Sequence, residues 1–158
     1  MSIELTHCSK EHLPVLKGFE LPEEQRRFTA LPRDVMQSGD GQYPIVIVSE
    51  GTPVGFFLLH STERVKDYST NPNAMLLTAL SIDHRQQRKG FAKKGLLKLA
   101  SFIKQEFKHC DEIVLVVNQK NIPARRLYEK AGFADTGKRK IGPIGEQIVM
   151  KMHIQSSR

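Results

Sequence analysis

The residues with the clearest chemical potential lie in one short run, Gln87-Arg88-Lys89-Gly90-Phe91-Ala92, between an apolar stretch and a helical one. The first N–H groups of a helix lack intrahelical partners and carry partial positive charge, so a loop there can bind phosphate oxygens through its backbone. Gly90 and Ala92 leave room for close approach, and glycine also permits the tight turn. Taken alone, these two residues serve equally well in turning and packing. The surrounding charge favours a ligand: residues 84–109 hold eight Lys/Arg (Arg85, Arg88, Lys89, Lys93, Lys94, Lys98, Lys104, Lys108) against one acid, Glu106, an imbalance equal to the whole chain's +7. Lys98, Lys104 and Lys108 fit a solvated helix face; the cluster at the helix start fits an anion site. The loop is not GxxxxGK[ST], which disfavours a nucleoside-triphosphate loop.

Several elements must position this loop. Ala74–Asp83 is a strand that runs directly into it, and a long helix follows over Gly90–Phe107, where Leu96, Leu99, Ala100, Ile103 and Phe107 recur at spacings of three and four. Asp111–Val117 holds five successive apolar residues, the pattern of a strand buried on both faces. Asn121 then fits an N-cap, Pro123 the first turn of a helix and Gly132 its left-handed stop. Upstream, Ile45–Ser49 and Val54–His60 form an antiparallel hairpin across Glu50–Pro53, followed by a polar loop, Ser61–Asn73. Ile3–Leu5 starts the chain as a strand, and Ser9 caps a short helix over Lys10–Gly18. Glu23–Phe28 and Arg33–Gln37 are short helical pieces in a loop-rich segment, the kind that borders a cleft. Phe133–Lys140 and Gln147–Ile154 close the chain as strands around the Gly142-Pro143 turn. The expected class is a single α/β domain over residues 1–158.

Composition bounds the function classes. At 158 residues, 39% hydrophobic and 26% charged, the chain is an ordinary globular domain that buries a core without a metal or disulfide staple. Cys8 and Cys110 stand far apart with no CxxC and no ligand-spaced histidine beyond the adjacent His109, so neither a metal site nor a redox pair is indicated. Reduced thiols and a cytoplasmic location are the expectation. No apolar run reaches membrane-spanning length and no signal-peptide pattern opens the chain, so neither a membrane nor a secretory route is expected. Nucleic acid is also not expected: the sequence has no Trp, no recognised helix-turn-helix or RNA-recognition pattern, and only Phe91 as an aromatic among the basic residues.

Two ordered motifs resemble the GNAT acetyltransferase superfamily. Gln87, Gly90 and Ala92 match its acetyl-CoA loop, Q/R-x-x-G-x-G/A after a strand. Asn121, Ala124, Leu127, Tyr128, Gly132 and Phe133 match a second pattern, N-x-x-A-x-x-L-Y-x-x-x-G-F. The resemblance covers about residues 45–152 and only loosely the first 44. It implies a mixed sheet of six to seven strands flanked by about four helices, with the strands ending at Asp83 and Val117 splayed into a cofactor cleft. It further implies that backbone groups of Leu80 and Ile82 pair with the pantetheine arm of acetyl-CoA. The peptide N–H groups of Arg88, Lys89, Gly90, Phe91 and Ala92, with Lys93 nearby, would then hold the pyrophosphate. Asn121, beside Ala124, is either a pantetheine contact or a plain N-cap. Tyr128 is either the acid that protonates the departing thiolate or a packed tyrosine, and the two motifs favour the acid. A homodimer follows by analogy only.

The implied reaction is acetyl transfer from acetyl-CoA to a primary amine by direct attack, which needs a proton acceptor for the amine, a donor for the oxyanion and a proton for the sulfur. Several family members place a glutamate on the strand before the loop, but Met75–Ile82 contains only Thr78 and Ser81 as polar groups. Asp83 at the strand exit and His84, where many members have proline, fit turn roles better than catalytic ones. The general base is therefore unassigned, and a water chain can fill the role. A CoA-binding regulator without catalysis stays as an alternative, with a nucleic-acid module behind it. The acceptor should face Leu21–Gln42 and Ser61–Asn73, whose mixed charges select no class; polyamines, aminoglycosides, amino acids and protein amines stay open, with a small amine favoured.

Overall fold

The computed structural model of the chain describes residues 2–35 and 39–155. Seven strands form one mixed sheet: β1 (Ile3–His7), β2 (Gln42–Ser49), β3 (Thr52–His60), β4 (Ala74–Ile82), β5 (Glu112–Asn118), β6 (Ala134–Gly142) and β7 (Gly145–His153), in the spatial order β1-β2-β3-β4-β5-β7-β6. All neighbours are antiparallel except β4 and β5. Six helical segments flank it among the described residues: α1 (Leu13–Lys17), α2 (Glu23–Arg26), α3 (Pro32–Val35), α4 (Phe91–Leu97), α5 (Leu99–Glu106) and α6 (Ile122–Ala131). None is long and apolar enough to cross a membrane.

The unbroken apolar runs of β2 and β3 follow from burial on both faces. Side chains alternate across a strand, so Ile45, Ile47, Phe57 and Leu59 share one core with Phe91, Leu96, Leu99 and Ile103. Val46, Val48, Phe56 and Leu58 point the other way, into a second core with Leu16, Phe19, Leu21 and Leu31 from the α1–α3 region. The strands expected from sequence are present, with ends shifted by up to three residues. The polar loop Ser61–Asn73 contains a 3-10 turn, Glu63–Asp67, that buries Val65. The piece expected over Arg33–Gln37 is helical over Pro32–Val35, while Met36 and Gln37 lie outside the described residues.

One expectation needs correction. The helix anticipated over Gly90–Phe107 is two segments broken at Lys98, whose N–H turns back to the Gly95 carbonyl at 3.0 Å. Gly95 causes the close contact at that point. A Cβ there would lie 2.9 Å from Ile47 Cδ1, so the helix backbone rests directly on β2, and glycine inside a helix weakens the regular turn.

Candidate active site

β4 and β5 run parallel for only three residue pairs, Ala74–Leu76 against Glu112–Val114. Beyond them the strands separate. A bulge in β4 assists: Phe56 opposes Ser81 and Leu58 opposes Thr78, so Ala79 and Leu80 share the place opposite Phe57. Ala79 holds φ +59, a left-handed conformation that costs an alanine about 1 kcal/mol or more and persists only where the surroundings impose it. The gap opens into a cleft of ≈ 840 Å³, within the range of small-molecule sites.

Eleven of the twelve site residues named from sequence line this one cleft: Leu80, Ile82, Gln87, Arg88, Gly90, Phe91, Ala92, Lys93, Asn121, Ala124 and Tyr128. Lys89 does not line it; its Nζ reaches the Gln86 side chain at 3.2 Å. The loop descends from β4 through a 3-10 turn, His84–Gln86, then through Arg88 (φ +66) and Gly90 (φ +79). The first helical bond of α4 runs from Lys94 N–H to the Gly90 carbonyl, which leaves the amides of Phe91, Ala92 and Lys93 without helical acceptors. The Gln87 side chain is occupied internally, donating to the Ile82 carbonyl at 2.9 Å and pairing with Gln25. Phe91 is only 4% exposed and packs in the core, so the aromatic that stood among the basic residues in sequence is not on the surface. The Leu80 carbonyl accepts the Thr29 hydroxyl at 3.1 Å.

Asp83 has the turn role expected of it, and more. Its buried carboxylate accepts the Glu20 backbone N–H at 3.0 Å and an Arg85 N–H at 2.8 Å, tying the N-terminal segment to the loop. His84 is half-exposed and lies 3.4 Å from that carboxylate.

On the opposite wall, Asn121 precedes α6 but makes no side-chain capping bond, so its amide is not committed to the helix start. Asn118 holds the turn before it, donating to the Ile144 carbonyl and accepting the Lys120 N–H. Tyr128 is 9% exposed, edge-on to Phe133 at 5.8 Å between ring centres. Burial pushes its phenol up to about 12, so it stays protonated across the neutral range.

One polar pair in the cleft had no mark in sequence. His60, at the end of β3, is 2% exposed, and its Nε2 lies 2.6 Å from Thr78 Oγ1, while its Nδ1 has no partner. Burial, with the Arg64 guanidinium adding to it, holds its imidazole below the usual histidine value. Ser81 Oγ is likewise buried without a partner. Both residues line the cleft, so each offers an unpaired buried polar atom to a molecule bound there. The remaining wall joins Leu21, Phe28, Val35 and Leu58 to one carboxylate, Asp34, and one guanidinium, Arg64. Among the described residues no group of three His, Cys, Asp or Glu could hold a metal ion.

The geometry agrees with comparisons to known proteins. The family model described as "Acetyltransferase (GNAT) family" matches residues 10–133. An uncharacterised N-acetyltransferase of Bacillus subtilis strain 168, YbbJ, is 47% identical over 152 residues, covering 94% of this chain and 95% of that protein. The spermine/spermidine N(1)-acetyltransferase of the same organism is 32% identical over 108 residues, 68% of each chain. In fold, the chain is similar to AAC(6')-Ib, solved with paromomycin and acetyl-CoA, with a TM-score of 0.75 at 19% identity over 97% of this chain and 94% of that one. A family match across most of the chain, a relative alike along nearly its whole length and a sheet opened at β4 and β5 lead to one conclusion: the chain belongs to the GNAT family of acetyltransferases.

Proposed function

We propose that the chain transfers the acetyl group of acetyl-CoA to the primary amine of a small molecule by direct attack within a ternary complex. The carrying observation is that the splayed strands, the loop Arg88–Lys93 and Tyr128 all border one cleft. In this reading the amides of Phe91, Ala92 and Lys93 receive the pyrophosphate, with Arg88 and Lys93 supplying charge. Glycine at position 90 both takes the left-handed turn and adds no side chain. Leu80, Ile82, Asn121 and Ala124 flank the pantetheine arm between the two strands.

Tyr128 is the proton donor to the leaving sulfur. Its hydroxyl is neutral at working pH, so it offers a hydrogen bond as negative charge builds on the thiolate. The acceptor enters past Phe28, Asp34 and Arg64. One carboxylate and one guanidinium among the residues of this wall suit an amine carrying few positive charges, whereas the names of the spermidine- and aminoglycoside-acetylating proteins describe polycations. The two cysteines are both free, as fits a reducing, cytoplasmic setting.

Calorimetry with CoA tests the cofactor half of the proposal, and thiol release from acetyl-CoA with spermidine, kanamycin, benzylamine and amino acids tests the acceptor half. CoA binding together with acetylation of at least one amine is expected. CoA binding without turnover on any amine would turn the reading to a CoA-responsive regulator, and no CoA binding would end it.

A further inference from the structure

We propose that His60 and Thr78 form the proton relay that accepts the proton of the attacking amine. It rests on the acetyl-transfer reading and fills the role for which β4 offers no carboxylate. The two residues come from neighbouring antiparallel strands, with His60 opposite Leu76 and Thr78 opposite Leu58. Both line the cleft, with His60 opposite Leu76, the last residue of β4 paired to β5, and Thr78 just past that pair and next to the β4 bulge.

The direction of their hydrogen bond follows from its length. An N–H donor to oxygen settles near 2.9–3.0 Å, whereas hydroxyl donors form the shorter contacts, so a 2.6 Å separation fits Thr78 O–H donating to the Nε2 lone pair. The Thr78 oxygen keeps its own lone pairs for a donor in the cleft. In this relay the imidazole is the neutral tautomer with its hydrogen on Nδ1, so that Nε2 can gain the second proton. The ionisable groups that line the same cleft are Asp34 from α3, Arg64 from the turn after β3, Arg88 and Lys93 from the loop and the start of α4, and Tyr128 from α6. Burial, and after it the Arg64 guanidinium, disfavour the imidazolium, which keeps His60 an empty acceptor in the resting state.

As the amine nitrogen bonds to the thioester carbonyl carbon, one of its protons passes to Thr78 Oγ1 while the hydroxyl proton of Thr78 passes to His60 Nε2. The carbon–sulfur bond breaks with its electron pair leaving on sulfur, which takes the phenol proton of Tyr128. The imidazolium then returns its proton to the phenolate through solvent, leaving amide, free thiol and both side chains as they began.

The test combines spectroscopy and kinetics. In protein labelled with nitrogen-15 at histidine, the His60 resonances should report a bare Nε2 and a protonated Nδ1, and Thr78→Val should move the Nε2 signal. A proton on Nε2 would overturn the relay, whatever the acceptor. With acetyl-CoA and the fastest amine of the panel above, His60→Gln and Thr78→Val should each lower kcat roughly 100-fold or more, while Thr78→Ser retains most of it. CoA affinity by calorimetry should not change. The rise of kcat with pH set by His60 in the wild type should be absent in His60→Gln, a change that a purely structural histidine would not produce. An unchanged kcat, or a lower kcat with an unaltered pH profile, sinks the relay. These results are distinct from failure of the acetyl-transfer reading, in which wild type binds no CoA at all.

Discussion

Replacing Tyr128 with phenylalanine removes one hydroxyl and leaves the ring that packs on Phe133. Its effect can be bounded from the burial of the phenol. With the phenol at about 12 and a free thiol at about 8.5, complete proton transfer to the departed thiolate is uphill by about 3.5 pH units, or ~5 kcal/mol, until the imidazolium returns a proton to the phenolate. Tyr128 therefore contributes mainly as a hydrogen-bond donor to the forming thiolate. A hydrogen bond to a charged group contributes about 1.5–3 kcal/mol, so Tyr128→Phe should lower kcat by roughly 10- to 150-fold. CoA affinity should hold, because the stabilisation arises only as charge develops. Steady-state thiol release for both proteins, with calorimetry for CoA, supplies the comparison. In the wild type, kcat should show no falling limb near pH 10, where an exposed tyrosine ionises. A kcat equal to wild type, or a falling limb near pH 10 that Tyr128→Phe abolishes, would refute the argument.

The same burial predicts a stability effect. The Tyr128 phenol lies above its unfolded value of 10, so its contribution is full below pH 10 and is lost as pH rises toward 12. Between pH 9 and pH 11.5 wild type should lose more stability to denaturant than Tyr128→Phe, by about 2 kcal/mol. Gly95→Ala should destabilise by about 1–3 kcal/mol, because its Cβ lies 2.9 Å from Ile47 Cδ1, and combining it with Ile47→Val should cost less than the two singles together. Additive costs would remove that contact from the account. Gly90→Val should cost about 1–2 kcal/mol through its positive φ while greatly weakening CoA binding, since the nearest atom to a Cβ there is the tip of Lys94 at 3.9 Å and the core is untouched. CoA affinity equal to wild type would displace the phosphate site from this loop.

Most of the cleft was legible because its parts are contiguous in sequence. The strand–loop–helix run at Gln87–Ala92 and the α6 pattern at Asn121–Phe133 each carry their own turn chemistry, so local rules place them. Residues whose role depends on lateral pairing were not legible. His60 ends an ordinary apolar strand, and only the register that sets it near Thr78 gives it a partner. Gly95 carried no signal in sequence, and only the packing shows Ile47 lying beneath it. The β4 bulge is equally silent, since Ala79 has no turn signature and its left-handed backbone is imposed by the strands on either side. Phe91 showed the opposite error: its basic neighbours suggested exposure, while its position at the helix start turned it into the core.

The three residue pairs that join β4 to β5 also bear on how the molecule holds together. They are a short seam between a four-stranded part, β1 to β4, and a three-stranded part, β5 with β7 and β6. A molecule lying along Leu77–Ile82 and Leu115–Asn118 would stitch the open length of that seam and cross-link the two parts through their backbones. Binding free energy would then enter cohesion of the whole sheet, with melting temperature rising with the logarithm of ligand concentration. Amide protection would increase along both strand edges together, well away from the phosphates.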